Sequence, residues 1–436
     1  MLTAAPGPRS LDWGRRFRAV AAPMGPQASS GDESGSGPIV YERARGANVI
    51  DADGNRYVDL AQGFGSLLLG HNAEALSSAL SGQAERLWQS LGDVHPSDTK
   101  IRLLERLSAL FGQRQAILGQ SGADALSAAL KTAALYTGKP GVLAFAGAYH
   151  GLSYGPLALC GLRESYRAPF AAQLNPSVRF VDYPLAELDT ALGLDTSALL
   201  ACIDSELARG DIGAVVFEPI LGRGGCHAPP EGFTRALADA CRKHGCLLIA
   251  DEVWTGLGRA GHLSYCEADG VEPDLLCLGK GLGGGLPLSA CLGSPRVMAA
   301  WSRPLEVVHT STYAGAPLPC ATALELLDQI ERRALIERSR RLGEDFKAEL
   351  IRSLGPGSGG PVRDVRGAGL MIGLDFGLAA GAARNLQQRL LQQGYIVSLG
   401  GGRRESVVLT PPLDVAEPLL GAFVRAVVDC LGAAAC

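Results

Sequence analysis

At 436 residues the chain can hold two or three domains of about 150 residues each, with ample length for a sizeable core. It is 47% hydrophobic and 19% charged, with 40 basic against 44 acidic residues and no basic block, which argues against nucleic acid as a partner. No apolar run approaches the roughly 18 to 20 residues of a membrane helix, and the opening MLTAAPGPRSLDWGRRFRAV lacks the apolar core of a secretory signal, so a soluble cytoplasmic protein away from membranes is expected.

Residues 1–38 are rich in Pro, Gly and Ser; QASSGDESGSGP (27–38) reads as a flexible stretch, with Trp13 and Phe17 before it as candidates for local packing. In 41–60, alternating apolar positions flank Asp53-Gly54-Asn55, the pattern of a hairpin. From about 60 to 300, helical patterns alternate with short apolar runs. A helix is predicted over 125–137, ending at Gly138-Lys139-Pro140. Strands are predicted at 142–145, 214–217, 246–250 and 275–278, each a continuous apolar run of the kind buried on both faces of a parallel sheet. The class is α/β, an open doubly wound sheet. A helical stretch at 320–353 precedes the Gly/Pro-rich LGPGSGGP (354–361). The tail 362–436 mixes short strands with two helical stretches, a second and smaller α+β domain that the N-terminal hairpin could join. The expected division is an arm and hairpin at 1–60, a large domain at 61–318 and a small one at 319–436. Eleven cysteines without a CxxC spacing lie mostly in apolar stretches, as Cys246 and Cys277 do, so buried thiols and no metal are expected.

Ligands of open α/β sheets gather at the carboxyl ends of strands. The residues that follow the predicted strands are polar: Tyr149-His150 after the first, Glu218 after the second, Asp251-Glu252 after the third and Lys280 after the fourth. The basic residues comprise 34 Arg and only six Lys. Lys100, Lys131 and Lys347 fall in amphipathic helical patterns, where a solvated or snorkelling side chain is the default. Lys139 lies in a turn and Lys243 closes a helix. Lys280 alone follows a buried strand, in LGKGLGGGLP with no charge nearby. Desolvation lowers a lysine's pKa and makes its amine a nucleophile fit for a Schiff base, although a loop lysine can also be mere surface. Asp251, ending the preceding strand, could keep a pyridine nitrogen protonated; the bland alternative is a cap or an ion pair with Arg259. Ser121-Gly122-Ala123 opens the 125–137 helix, where free amides suit a phosphate, or simply a cap. Tyr149 could stack on a flat cofactor or pack in its turn.

In this order and spacing the motifs resemble the class III, fold type I, pyridoxal-phosphate-dependent aminotransferases. The matching pieces run from about Tyr41 to the C-terminus and include SGADALSAALKTA (121–133), AYHG (148–151), FEPILGRGG (217–225), DEVWTGLGRAG (251–261), LGKGLGGGLPLSA (278–290), HTSTYAGAPLPCATAL (309–324) and LTPPL (409–413). The resemblance implies pyridoxal 5′-phosphate held as an aldimine by Lys280, with Asp251 on the pyridine nitrogen and Val253 and Tyr149 on opposite faces of the ring. It further implies a phosphate held at Ser121, Gly122 and Ala123, Glu218 near the phenolic oxygen, and His150 as support beside the ring. Thr312 would reach the phosphate of the other subunit in a homodimer. The implied reaction moves an amino group between a small amine or amino acid and a 2-oxo acid; racemases and epimerases of the same class share these cofactor motifs. A catalytically dead relative is disfavoured by Lys280 itself, and the GxGxxG at 256–261 lacks the following helix that a dinucleotide site needs.

The sequence departs from the glutamate-using members at two linked positions. Val408 stands where they carry an arginine that grips the substrate carboxylate, and Arg223 stands where they carry the glutamate that pairs with it. Phe64 lies where some members place a substrate-contacting tyrosine. Arg223, with Arg403 and Arg404 of GGGRRE as a second supply, is the cation expected to meet a substrate carboxylate; the bland alternative is an entrance charge facing solvent.

Overall fold

The structure, a computed structural model, describes residues 1–23, 37–185, 196–303, 306–356, 360–379 and 381–432. Residues 27–36 of the predicted flexible stretch lie outside these. A seven-stranded sheet runs in the order Gln115–Gly119, Ser289–Gly293, Leu275–Leu278, Leu247–Asp251, Ile212–Phe217, Gly141–Phe145 and Val178–Val181. Six strands are parallel, and Ser289–Gly293 runs against both its neighbours. The four predicted strands are its centre, buried throughout because helices cover both faces.

Three strands of this sheet are not predicted from the sequence. Ser289–Gly293 is made of small residues, Val178–Val181 carries Arg179, and Gln115–Gly119 is an edge strand with an exposed start. None has the apolar run that marks the central strands. The 41–60 segment forms three antiparallel strands rather than one hairpin: Tyr41–Arg45, Asn48–Asp51 and Arg56–Asp59, with an added turn at Gly46 (φ 57°). The third pairs in parallel with Tyr395–Ile396, so this segment does join the C-terminal part. A further sheet takes Asp364–Ala368, Met371–Asp375, Ser406–Leu409 and Ser398–Gly400 in that order.

The predicted 320–353 helix is two, Pro317–Arg332 and Leu335–Leu354, broken at Ala334 with φ 48°. Near the N-terminus, helix Pro8–Val20 is held by Asp53, whose carboxylate accepts the Arg9 and Ser10 amides at 2.7 and 2.8 Å. Trp13 and Phe17 on that helix are exposed rather than packed. No helix among the described residues is long and apolar enough to cross a membrane.

Strand register fixes the central juxtaposition of the site. Asp251 pairs with Cys277, so the chain leaving Leu275–Leu278 reaches Lys280 just beyond the Asp251 carboxylate.

Candidate active site

Helix Gly122–Thr137 opens from the carboxyl end of strand Gln115–Gly119. Ser121 is its N-cap: its hydroxyl accepts the Asp124 amide at 3.2 Å, and the Asp124 carboxylate accepts the Gln120 and Ser121 amides at 3.0 Å each. The reciprocal box commits the Ser121 side chain to the helix. It leaves the Gly122 and Ala123 amides without an acceptor among the described residues, at the positive end of a sixteen-residue helix. Two such donors make an anion seat. Glycine is required at 122 by close approach, since a Cβ there would stand 2.7 Å from Val253 Cγ1.

Strand Leu247–Asp251 delivers two buried acids that do different work. Glu252 accepts from Thr255 and Ser264 hydroxyls and from the Tyr265 and Cys266 amides, which spends its carboxylate on folding the loop to 266. Asp251 accepts the Val253 amide at 3.1 Å and lies 2.7 Å from His150 Nδ1. Arg259 is not its partner; that fully buried guanidinium donates to the Leu370 and Pro411 carbonyls instead. Burial works against the His150 imidazolium, but the hydrogen bond and charge of Asp251, aided by Glu218, hold its pKa above the ordinary value. His150 Nε2 is buried with no hydrogen-bond partner among the described residues.

Lys280 is half-buried and has φ 37°, a left-handed conformation rare outside glycine and costly unless the surroundings enforce it. Burial pushes its amine down to about 8, against the pull of Asp251 and Glu218, and Arg223 adds to the fall. Every other lysine donates to oxygen: Lys100 to Asp93, Lys131 to Val308, Lys139 to His244, Lys243 to Asp204 and Lys347 to Gly367. Lys280 makes no hydrogen bond or ion pair among the described residues. Lys100 departs from the solvated role expected of it: it is buried, reaching Asp93 at 2.6 Å and the Ala314 carbonyl at 3.4 Å, because a chain segment remote in sequence covers its helix face.

Glu218 is buried and accepts the Tyr149 amide at 2.6 Å and the Gly222 amide at 3.0 Å; desolvation carries its pKa to about 7 despite nearby His150. These bonds tie the turn bearing Tyr149 to the turn bearing Arg223. The Arg223 guanidinium lies 5.1 Å from the Tyr149 ring and 6.0 Å from the Phe64 ring, half-buried and with no carboxylate partner among the described residues. Phe64 is exposed on a left-handed turn, with φ of 46°, 58°, 58° and 79° from Gln62 to Gly65.

Val408 is buried in an apolar cluster with Ile220, Cys226 and Trp254. Trp254 is a member of the site that sequence reasoning passed over, although it stands inside the DEVWTG motif. Its ring lies under the Lys280 amine, 4.3 Å from Nζ to centroid. Other predicted residues are less drawn in. Arg403 is exposed and Arg404 half-buried, in a loop joined to Arg223 only through its backbone, Gly401 N to Arg223 O at 2.8 Å. Thr312 is exposed and its carbonyl accepts from Gln89 at 3.1 Å. No helix opens at the 256–261 glycines, where Gly258 and Gly261 simply turn the chain with φ of 89° and 84°.

The arrangement is an amine of lowered pKa, a fixed carboxylate nearby and two unspent amides on an anion seat. It fits pyridoxal phosphate in charge and donor set. Comparison with known proteins gives the same answer. The model of the class III aminotransferase family matches residues 30–431. The chain is 34% identical to the 4-aminobutyrate aminotransferase of Mycobacterium tuberculosis over 96% of its length and 95% of that protein. It is 33% identical to the acetylornithine aminotransferase of Archaeoglobus fulgidus over 87% of its length and 92% of that protein. An amine transaminase from an uncultivated Pseudomonas species, solved with pyridoxal phosphate bound, superposes with a TM-score of 0.84 at 29% identity, covering 94% of this chain and 98% of that one. The chain belongs to the class III aminotransferases and is a pyridoxal-phosphate-dependent transaminase of fold type I.

Proposed function

We propose that this transaminase passes an amino group between an amine or amino acid and a 2-oxo acid, with Lys280 as both the cofactor's anchor and the proton carrier. The observation that carries this is the Lys280 amine, the one lysine amine without an oxygen partner among the described residues, lowered in pKa beside Asp251. Bound pyridoxal phosphate supplies an aldehyde with which amines condense and a ring that takes up the electron pair of a broken Cα–H bond. The Gly122 and Ala123 amides, opened by Ser121, hold its phosphate. Asp251 keeps a proton on the pyridine nitrogen, and His150 fixes that carboxylate from behind. Val253 and Tyr149 would bracket the ring, and Glu218 would serve the phenolic oxygen. With its amine free, Lys280 would accept the substrate's Cα proton as general base and deliver it as general acid to the cofactor's C4′.

Arg223 receives the substrate carboxylate, for a bidentate guanidinium orients the bond to be broken and leaves no unpaired charge in the pocket. Phe64 packs on the substrate beside it, and Arg403 or Arg404 is the reserve cation. Thr312, exposed in this chain, reaches the phosphate of a second copy, which makes the active unit a homodimer with shared sites. In the division 1–60, 61–318 and 319–436, the large domain carries the cofactor residues and the small one contributes Arg403 and Arg404. Ten described cysteines are free and nine of them buried, which suits a reducing, cytoplasmic setting.

The test is to load the protein with pyridoxal phosphate, fix the adduct with borohydride and map it, then present single amines and amino acids and follow conversion to the pyridoxamine form. An adduct on Lys280 and conversion with at least one donor are expected. An adduct on any other lysine, or no conversion with any donor, overturns the reading.

A further inference from the structure

We propose that Trp254 is a positioning residue for Lys280, its indole face holding the freed amine in place while that amine carries the substrate's proton. The proposal rests on the reading of Lys280 as proton carrier given above. Lys280 Nζ stands 4.3 Å from the Trp254 ring centroid, and no oxygen among the described residues binds it. The acids that could have taken it are spent. Asp251 serves His150 and the Val253 amide, and Glu218 serves the Tyr149 and Gly222 amides.

The ring cannot drift. It is 6% exposed and wedged between Gly65 and Gly222, at either of which a Cβ would stand 2.3 Å from a ring atom. Its six-membered edge meets Gly222 and its pyrrole edge meets Gly65, while Ile220, Cys226 and Val408 pack around it. Trp254 Nε1 has no hydrogen-bond partner among the described residues, so packing sets the ring's orientation. What the ring offers the site is therefore its face.

A face suits a proton carrier better than a carboxylate does. The ring quadrupole attracts the ammonium, yet it offers no oxygen to hold the proton and takes nothing from the lone pair of the neutral amine. Lys280 can then gain a proton from the substrate carbon and lose it again without leaving its seat. The other charged or titratable groups that act on the amine are Asp251 and Glu218, which favour its cation, and Arg223, which opposes it. Removing the ring face should therefore lower the pKa of the free amine while those three charges stay.

The test uses full-length protein loaded with pyridoxamine 5′-phosphate, the form in which Lys280 is not attached to the cofactor. Trace acetic anhydride is applied across pH, and acetylation of the Lys280 peptide is read by mass spectrometry. In Trp254→Leu the titration midpoint should fall by about 0.5 to 1 pH unit. Trp254→Phe keeps a smaller aromatic face between the two glycines and should fall by about half as much, so the comparison survives if the leucine variant fails to fold. A midpoint unchanged or raised in a variant that folds and retains the cofactor overturns the proposal. Borohydride mapping of the pyridoxal-phosphate form separates the two levels: an adduct away from Lys280 defeats the reading beneath, whereas an adduct on Lys280 with an unmoved midpoint defeats the Trp254 proposal alone.

Discussion

The two sides of the pocket are built on different terms. On the sheet side, each polar group is held by a partner of its own: Asp251 by His150 and the Val253 amide, Glu218 by two backbone amides, the helix start by the Ser121–Asp124 box. On the other, Val408 is sunk in an apolar cluster, Arg223 lies near two aromatic rings with no carboxylate partner among the described residues, and Phe64 is exposed on a left-handed turn. The first side is preorganised for one cofactor's charges, and fixed dipoles there need no rearrangement during reaction. The second is shaped by size and by one unpaired cation, and it is where this chain departs from the glutamate-using pattern. On the proposed reading, chemistry and specificity are carried by separate residues, and substitutions on the two sides should fail differently.

The largest expected effect is on the sheet side. Lys280→Ala removes both anchor and proton carrier, and turnover should fall on the order of 10⁴-fold or more while the fold persists. Thermal unfolding followed by circular dichroism, alongside single-turnover kinetics, checks both halves of that statement; a loss of less than tenfold would remove Lys280 from the chemistry. Asp251→Asn keeps the shape and the Val253 contact but removes the charge. Cofactor should remain bound while turnover drops on the order of 10²- to 10³-fold, the scale of a lost electrostatic stabiliser. Near-normal turnover would mean that the pyridine nitrogen needs no charge from Asp251. The pH profile sharpens the point. With the Lys280 amine at about 8, capture of pyridoxal phosphate by the apoprotein should speed up as pH rises through that value and level off above it, because the neutral amine is the nucleophile. Stopped-flow absorbance reads this directly, and a rate falling from pH 7 to 9 would contradict it.

The same contrast governs what could be read from the sequence. The central strands were legible because apolar runs such as LLIA and LLCL have only one stable place, inside the sheet, and the polar residues that follow them must then line its carboxyl edge. The places of Lys280, Asp251, Glu218 and Tyr149 were legible for that reason, and the Gly122 helix start was legible from the helical composition that follows it. Lys100 was not, because its helical period gives no hint that Ala314 and Asp93 come to meet it. Trp254 was not either: its place depends on Gly65 and Gly222 making room, and nothing local to residue 254 announces two distant glycines. Strand Ser289–Gly293 escaped because its small residues carry little strand preference of their own, and neighbours on both sides impose its conformation.

Between the two sides lies the claim that a second copy completes the site. Thr312 is exposed and its hydroxyl makes no hydrogen bond among the described residues, as a residue reserved for a partner would require. Thr312→Ala should weaken cofactor retention about tenfold, the scale of one charge-assisted hydrogen bond, with turnover of the saturated enzyme nearly unchanged. Equilibrium dialysis against pyridoxal phosphate measures the first quantity. A monomer by light scattering with full activity would remove Thr312 from the partner's site altogether.

The smallest effect is expected on the substrate side, and it bears on what the departure at Val408 means. Arg223 is half-buried, so solvent screens part of its charge and its loss should be mild: KM for carboxylate-bearing substrates rises about three- to tenfold in Arg223→Ala. An amine donor without a carboxylate should keep its KM, since it never used the guanidinium. Two consequences separate this from a general disturbance of the pocket. Arg223 depresses the Lys280 amine, so removing it should raise that group's titration midpoint slightly, opposite in sign to the change expected when the Trp254 ring is removed. Val408→Arg, by contrast, should not restore a carboxylate grip: it forces a charge into the cluster of Ile220, Cys226 and Trp254, where burial without a counter-ion costs stability. If Arg223→Ala leaves every carboxylate substrate untouched, Arg403→Ala and Arg404→Ala become the variants to measure. Should all three be silent, the side of the pocket that departs from the glutamate-using pattern has no use for a carboxylate, and its apolar wall selects amines by shape.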